Sequence, residues 1–300
     1  MDREERVGIV TVTFNSAKVL PDFLRCITEQ TYRNFLLYAV DNASTDNSVG
    51  LLRTFPDQRL QIIPNSENKG VAEGNNQGIR AALEAGCGSV LLINNDTEFG
   101  PMLIAQLLGA LDDDHVSMVC PKMLYFDEPN RIWAAGGEFQ PWCGYRVVHL
   151  GDGQLDEGQY DRGRLVTYTP TCCVLIRKRV FETIGLMDPR YFVYADDTDF
   201  MFRAMRHRIT LWYLPECCLW HKVSSMTGGD STPFAIRYMT RNRIYFYRKN
   251  FSTVTAAVWI LLYIVHLSIR YFRGIDSATT WKAKRQAVHE GLAMIASSLS

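Results

Sequence analysis

The chain has no surplus of either charge: 32 Lys and Arg stand against 32 Asp and Glu in 300 residues. A general nucleic-acid binder needs a basic surface, so that class is excluded and no nucleic-acid partner is expected. Zinc-type cysteine spacing is also missing. The eight cysteines include the adjacent pairs Cys172-Cys173 and Cys217-Cys218 but no CxxC…CxxC or CxxC…HxxxH pattern, so they read as reduced, mostly buried thiols. No GxGxxG follows the first apolar run, which disfavours dinucleotide binding. No apolar leader precedes that run either; "MDREERVGIV" is charged and enters a strand directly, and the expected location is cytoplasmic.

What the sequence does contain is alternation. Residues 6–14, 34–42, 59–64 and 88–96 are short apolar runs rich in β-branched residues, each closing on polar or turn residues. Between them, 20–31, 45–55 and 71–86 space their apolar residues three to four apart, as helices do, and Gly86 suits a C-cap. Strand-helix repeats of this kind predict an α/β fold, an αβα sandwich around a mostly parallel sheet. Ligands of such sheets sit beyond the carboxyl ends of the strands. Here those ends read "TFNS", "VDNAS", "PNSENKG" and "INNDTE", oxygen-rich in a way that ordinary turns and N-caps also explain one loop at a time.

In "INNDTE", a helix start at Gly100-Pro101 leaves Asp96 with no capping duty. A carboxylate at a strand end, beside amides, is how a protein holds Mg²⁺ or Mn²⁺ through one or two oxygens while substrate phosphates supply the rest. The three glycines of "NKGVAEGNNQG" (Gly70, Gly74, Gly78) suggest a backbone lying close to a nucleotide or tight packing, since Gly inside a helix costs about 1 kcal/mol relative to Ala. In "YFVYADDTDFMFRA", Asp196, Asp197 and Asp199 either open a helix on the positive end of its macrodipole or form a reactive cluster whose members raise one another's pKa.

Taken in order, "TFNS", "VDNASTDNS", "NKGVAEGNNQGI", "LLINNDTE", "YFVYADDTDFMFRA", "WHKVSSMTGG" and "RNRIYFYRKN" resemble family-two glycosyltransferases, particularly the bacterial branch with rhamnosyl- and galactofuranosyltransferases. The likeness covers roughly residues 7–250. It implies a GT-A domain over 1–250, with a nucleotide-binding half (1–100) and an acceptor and catalytic half (101–250), followed by C-terminal helices over 251–300. It further implies inverting transfer from a UDP- or dTDP-sugar to a saccharide acceptor. Asp41 takes the place that reads the nucleobase, and a carboxylate, which only accepts hydrogen bonds, suits the ring N–H of uracil or thymine. Thr13, Asn15, Asn68, Gly70, Asn76 and Asn94 fall along the nucleotide. Asp96 and His221 hold Mn²⁺ or Mg²⁺, with Asn94 a weak neutral helper. In the acid pair Asp196-Asp197, the second residue is the general base. Trp133, Trp142 and Arg190 fall on the acceptor side, the tryptophans as sugar platforms and Arg190 as a brace for the acids; Lys222 with Thr227-Gly228-Gly229 suits a lid.

Residues 253–269 carry no Lys, Arg, Asp or Glu, just short of the roughly 20 residues of a comfortable span, and basic residues flank both ends. A helix lying on the inner face of the cytoplasmic membrane is the favoured expectation, with a homo-oligomer contact, core packing or a true span as alternatives. A membrane location in turn suits a polyprenyl-linked acceptor in cell-surface polysaccharide assembly. Two other functions share parts of this pattern: a sugar-nucleotide pyrophosphorylase, which lacks its basic glycine-rich loop here, and a non-catalytic nucleotide-sugar scaffold.

Overall fold

The computed structural model describes residues 5–222 and 232–294. The first part alternates as expected: β1 (Val7–Thr13), α1 (Leu20–Thr28), β2 (Phe35–Asp41), α2 (Ser48–Thr54), β3 (Leu60–Pro64), α3 (Gly70–Glu84) and β4 (Ser89–Ile93). The run that was expected to continue to residue 96 stops at Ile93, freeing Asn94–Asp96 to turn. There follow β5 (Thr97–Phe99), α4 (Leu103–Ala110), β6 (Met118–Tyr125), β7 (Ile132–Ala134), β8 (Gly137–Gln140), β9 (Arg146–His149), β10 (Arg164–Val166), β11 (Cys173–Arg177), α5 (Lys178–Ile184), α6 (Asp196–Arg206) and β12 (Leu211–His221).

The main sheet runs β10-β12-β6-β11-β4-β1-β2-β3, with β5 added to β12 and β7 to β6. From β12 to β3 only the two pairings of β11 are antiparallel, so β11 alone runs against the others. β4 is buried along its whole length, which explains why it reads as a continuous apolar run rather than an alternation. The carboxyl ends of β1, β2, β4, β6 and β12 therefore open on one edge. Pro215 inside β12 cannot donate to the ladder, and the β12–β6 register shifts there, between Leu214 and Cys218. Beyond that bulge β12 pairs with β5, setting His221 opposite Thr97.

The glycines of α3 answer the packing question. A Cβ on Gly78 would lie 2.3 Å from Val10 Cγ1, 3.0 Å from Cγ2 and 3.2 Å from Cβ, and one on Gly74 would lie 2.8 Å from both methyls of Val12. These two glycines let α3 press onto β1. Rotating the Val10 side chain relieves nothing, because its whole isopropyl group is in the way. Gly78→Ala is thus expected to destabilise the protein by about 1–3 kcal/mol despite the ~1 kcal/mol helix-propensity gain of alanine. Gly109→Ala, exposed on α4 with nothing within 4 Å of the new methyl, should be neutral or stabilising. Urea denaturation of the two variants checks the contrast, and equal midpoints would refute it.

Chain contacts divide the protein into two units, Met1–Phe192 with Asp196–Met226, and Val193–Ala195 with Thr227–Ser300. The second unit holds α7 (Pro233–Asn250), α8 (Thr253–Phe272) and α9 (Ala278–Ala293). The boundary thus falls before α7 rather than at residue 250. α7 joins α8 and α9 because its apolar residue Ile244 packs with Leu267 and Val288. Within this unit Asn242 donates through Nδ2 to the carbonyls of Val193 and Tyr194, at 2.8 and 2.7 Å.

Candidate active site

At the end of β1, Thr13 donates from Oγ1 to Asp41 Oδ1 at 2.9 Å, and the Ser44 amide donates to Asp41 Oδ2 at 3.0 Å. Asp41 thus closes the turn behind it and is 2% exposed, although each carboxylate oxygen keeps a second lone pair. Asn15, at positive φ, accepts at Oδ1 from the amides of Thr45 (2.8 Å) and Asp46 (3.3 Å), so its side-chain oxygen braces the β2–α2 loop. Asp46 in turn accepts from the Ser48 amide and orders the start of α2.

Asn68 accepts from the Gly70 amide at 2.9 Å and shapes the entry to α3. Gly70 has φ +83, and a Cβ there would lie 2.4 Å from the Phe192 carbonyl oxygen, so this position requires glycine for both conformation and space. Asn76 is buried and bonded at both ends to the backbone of one residue: its Nδ2 donates to Met187 O at 2.8 Å and its Oδ1 accepts from Met187 N at 2.9 Å. The structure therefore corrects its expected place along the nucleotide. Its amide is consumed in fastening α3 to the segment that leads to the acidic helix.

The β4–β5 turn places Asp96 beside His221, with Asp96 Oδ1 3.3 Å from His221 Nε2. Their backbones are joined too, since the Lys222 amide donates to Asp96 O at 2.8 Å. Asn94 and Asn95 fix the turn: Asn94 N donates to Cys172 O, Thr97 Oγ1 donates to Asn94 O at 2.7 Å, and Asn95 Nδ2 donates to Val12 O at 2.7 Å. Burial disfavours the His221 imidazolium, but the Cys172 sulfur and the Asp96 carboxylate beside it outweigh that and raise its pKa. His221 Nδ1 is buried with no nitrogen or oxygen partner among the described residues. Buried polar atoms are ordinarily satisfied, and a carboxylate with an imidazole can hold Mn²⁺, the imidazole suiting Mg²⁺ less well, so these residues fit a divalent cation. Among the described residues no group of three or more His, Cys, Asp or Glu is placed to hold a metal. Two protein ligands are what a diphosphate-bound cation needs, because the substrate completes its shell.

The second centre lies at the start of α6. Asp197 Oδ2 accepts from the Tyr168 hydroxyl at 2.7 Å, and its Oδ1 accepts from the Thr198 amide at 2.6 Å. Asp197 is half-buried, whereas Asp196 and Asp199 are buried. The acid cluster was expected to be steadied by Arg190, but Arg190 forms a two-point pair with Asp188 at 2.8 and 2.9 Å. Arg203 supplies the brace, donating to Asp199 at 3.0 Å from one turn along the helix, and Tyr191 donates to the same carboxylate at 3.1 Å. Arg203 wins by periodicity: i and i+4 share a helix face.

Burial and the neighbouring Asp197 charge push the Asp196 pKa up to about 8. A folded-state pKa above the unfolded value near 3.9 means that the native state binds the proton more tightly, so stability falls as pH rises from about 4 to about 8. Asp196→Asn removes that proton linkage. Its stability relative to the native protein should be visibly higher at pH 8 than at pH 5 in denaturant melts, and a pH-independent difference would sink the assignment.

An aromatic wall that the sequence did not reveal joins the two centres. Trp133 on β7 lies with its ring centroid 4.4 Å from that of His221 and 5.1 Å from that of His149; His149 stacks on Tyr168 at 5.7 Å, and Tyr168 reaches Asp197. Burial lowers the His149 pKa, keeping that imidazole neutral near pH 7. Trp133 thus lies in the site, but Trp142 does not join this wall: it sits on the short turn between β8 and β9 and is 75% exposed. Lys222 is held by Asp22 and Glu98 at 2.6 and 2.7 Å. Thr227, Gly228 and Gly229 lie outside the described residues. Phe192, Tyr194 and Ala195, all at positive φ just before Asp196, mark strained backbone of the kind that gathers at functional sites.

Residues 8–185 match the family described as Glycosyl transferase family 2. The chain is 24% identical to the dTDP-rhamnosyl transferase RfbF of Shigella flexneri over 80% of its length and 79% of that protein. It is 27% identical to the N-acetylglucosaminyl-diphospho-decaprenol L-rhamnosyltransferase of Mycobacterium tuberculosis, covering 74% and 78% of the two chains. A solved mannosyltransferase from Pyrobaculum calidifontis, in complex with GDP-Man and Mn²⁺, shares its fold at a TM-score of 0.59 and 15% identity, over 97% of this chain and 88% of that one.

Proposed function

The chain belongs to glycosyl transferase family 2, and on that premise we propose that it is an inverting, metal-dependent glycosyltransferase using a dTDP- or UDP-sugar to extend a lipid-linked saccharide. Membership sets aside the pyrophosphorylase reading. The observation that carries the proposal is the meeting of Asp96 with His221 at 3.3 Å, metal-type donors delivered by two different strands to the ligand edge of the sheet.

Asp41, with Thr13, reads the ring N–H of a pyrimidine. Asn68 and Gly70 bring the amino end of α3 towards negative charge, and Asn94 lines the diphosphate. Asp96 and His221 hold the cation, which when bound neutralises charge on the diphosphate. Asp197 accepts the proton of the acceptor hydroxyl as that oxygen bonds to the anomeric carbon. The bond from that carbon to the diphosphate breaks on the opposite face, and the nucleoside diphosphate leaves with the electron pair. Tyr168 and the Thr198 amide fix the carboxylate for this task, and Trp133 offers the acceptor an aromatic face.

The similarity to rhamnosyltransferases, one named for a decaprenol-linked substrate, supports dTDP-rhamnose as the first donor to try and a polyprenyl-diphosphate saccharide as acceptor. The location that suits such an acceptor is the inner face of the cytoplasmic membrane. Thermal-shift titration of dTDP, UDP and GDP with and without Mn²⁺ tests the donor class. Metal-dependent stabilisation by dTDP or UDP, and not by GDP, is expected; preference for GDP would overturn the pyrimidine assignment.

A further inference from the structure

α8 is long and apolar enough to cross a membrane, yet only 11% of its most apolar 18-residue window is buried. Its inner face is committed: Ile260, Tyr263, Ile264 and Leu267 pack on Ile244 of α7 and on Val288 and Trp281 of α9. Tyr271 stacks on Trp281 at 5.3 Å, and Asp276 ties Arg270 to Lys284 at 3.0 and 2.7 Å. The opposite face is a stripe of exposed apolar side chains, Val254, Val258, Leu261, Val265, Ile269 and Phe272, spaced three or four apart along the full helix. A contiguous apolar face of that length marks an interaction surface.

Charge identifies the occupant. Residues 227–300 carry ten Lys and Arg against three Asp and Glu, a net +7 in a chain that is neutral as a whole. Arg273, Lys282 and Arg285 are exposed and have no acidic partner among the described residues. Two copies meeting through this face by a two-fold axis would bring like charges together. An anionic lipid surface complements them.

We propose that α8 lies in the plane of an anionic leaflet, with its Val254–Phe272 stripe in the acyl boundary and Arg273, Lys282 and Arg285 on the headgroups. It does not span. A crossing would strip α8 from its partners or draw the arginines and lysines of α7 and α9 into hydrocarbon. The inference deepens the membrane-surface location proposed above and does not depend on the catalytic assignments.

Co-sedimentation with phosphatidylglycerol/phosphatidylethanolamine vesicles and with phosphatidylcholine vesicles tests it. The full chain should bind the anionic vesicles, be released by high salt, and bind phosphatidylcholine far more weakly. The Arg273→Gln, Lys282→Gln, Arg285→Gln triple variant should lose about a hundredfold in affinity, since each basic residue near an anionic surface contributes about fivefold. Leu261→Glu with Val265→Glu should abolish sedimentation while nucleotide-induced thermal shifts stay as in the native chain, which shows that the protein is folded and keeps this test separate from the catalytic one. Native chain that ignores anionic vesicles, a double glutamate variant that still binds, or binding that survives high salt would each overturn the proposal. So would a dimer, seen by light scattering, that the glutamates split in the absence of any vesicle binding.

Discussion

Asp197→Asn is expected to lower the transfer rate by a factor of about 10²–10⁴ while leaving donor affinity within about twofold. That range is what a positioned general base contributes, equivalent to roughly 3–5 kcal/mol of activation free energy. The substitution is close to isosteric and its local bonds survive. The Thr198 amide can still donate to Oδ1, and the Tyr168 hydroxyl can accept from the new Nδ2 instead of donating. Any loss is therefore chemical rather than structural. Initial rates with the best donor, together with a thermal-shift titration of dTDP and Mn²⁺, separate the two effects. A variant that keeps a tenth or more of native transfer would remove Asp197 from the role of base. Because the proton taken up is the acceptor's, donor hydrolysis and donor binding should respond less than transfer.

Asp96→Ala should reduce transfer by about 10²–10³ and erase the response of nucleotide binding to Mn²⁺, and excess chelator should do the same to the native chain. The Asp96 carboxylate is the anionic member of the pair with His221, and removing it leaves one neutral ligand, too little to hold a hard cation against water. Its neighbours limit the structural damage. Asn95 still anchors the turn on the Val12 carbonyl, and the Lys222 amide still donates to the backbone oxygen of residue 96. Isothermal titration of dTDP or UDP with and without Mn²⁺ reads the effect directly; a variant still stimulated by Mn²⁺ would show that the cation is held elsewhere.

Much of the fold was legible in the amino-acid order because its signals are local. Short apolar runs and period-3.6 patterns located β1 to β4 and α1 to α3, and the oxygen-rich loops after the strands marked the ligand edge. Asp41 ends β2, Asp96 stands in a turn and Asp197 at a helix start, positions at the margins of the regular elements. Residues with other partners were less legible. Asn76 was expected along the nucleotide, but its partner is the backbone of Met187, far away in sequence. Arg190 looked like the brace for the acids, yet a nearer acid, Asp188, takes it and leaves that task to Arg203. Gly74 and Gly78 suited a backbone close to a ligand, but Val12 and Val10 lie beneath them and make them a tight helix contact.

By itself the sequence determined the α/β alternation and the family, because propensity, periodicity and motif order are properties of neighbouring residues. Only the tertiary structure decided that β12, bent at Pro215, returns His221 to Asp96, that Tyr168 and Trp133 form a wall between the two centres, and that α8 keeps one apolar face uncovered. Those arrangements depend on strand pairing and packing between segments remote in the chain, and no local pattern of residues encodes which remote partner will be met.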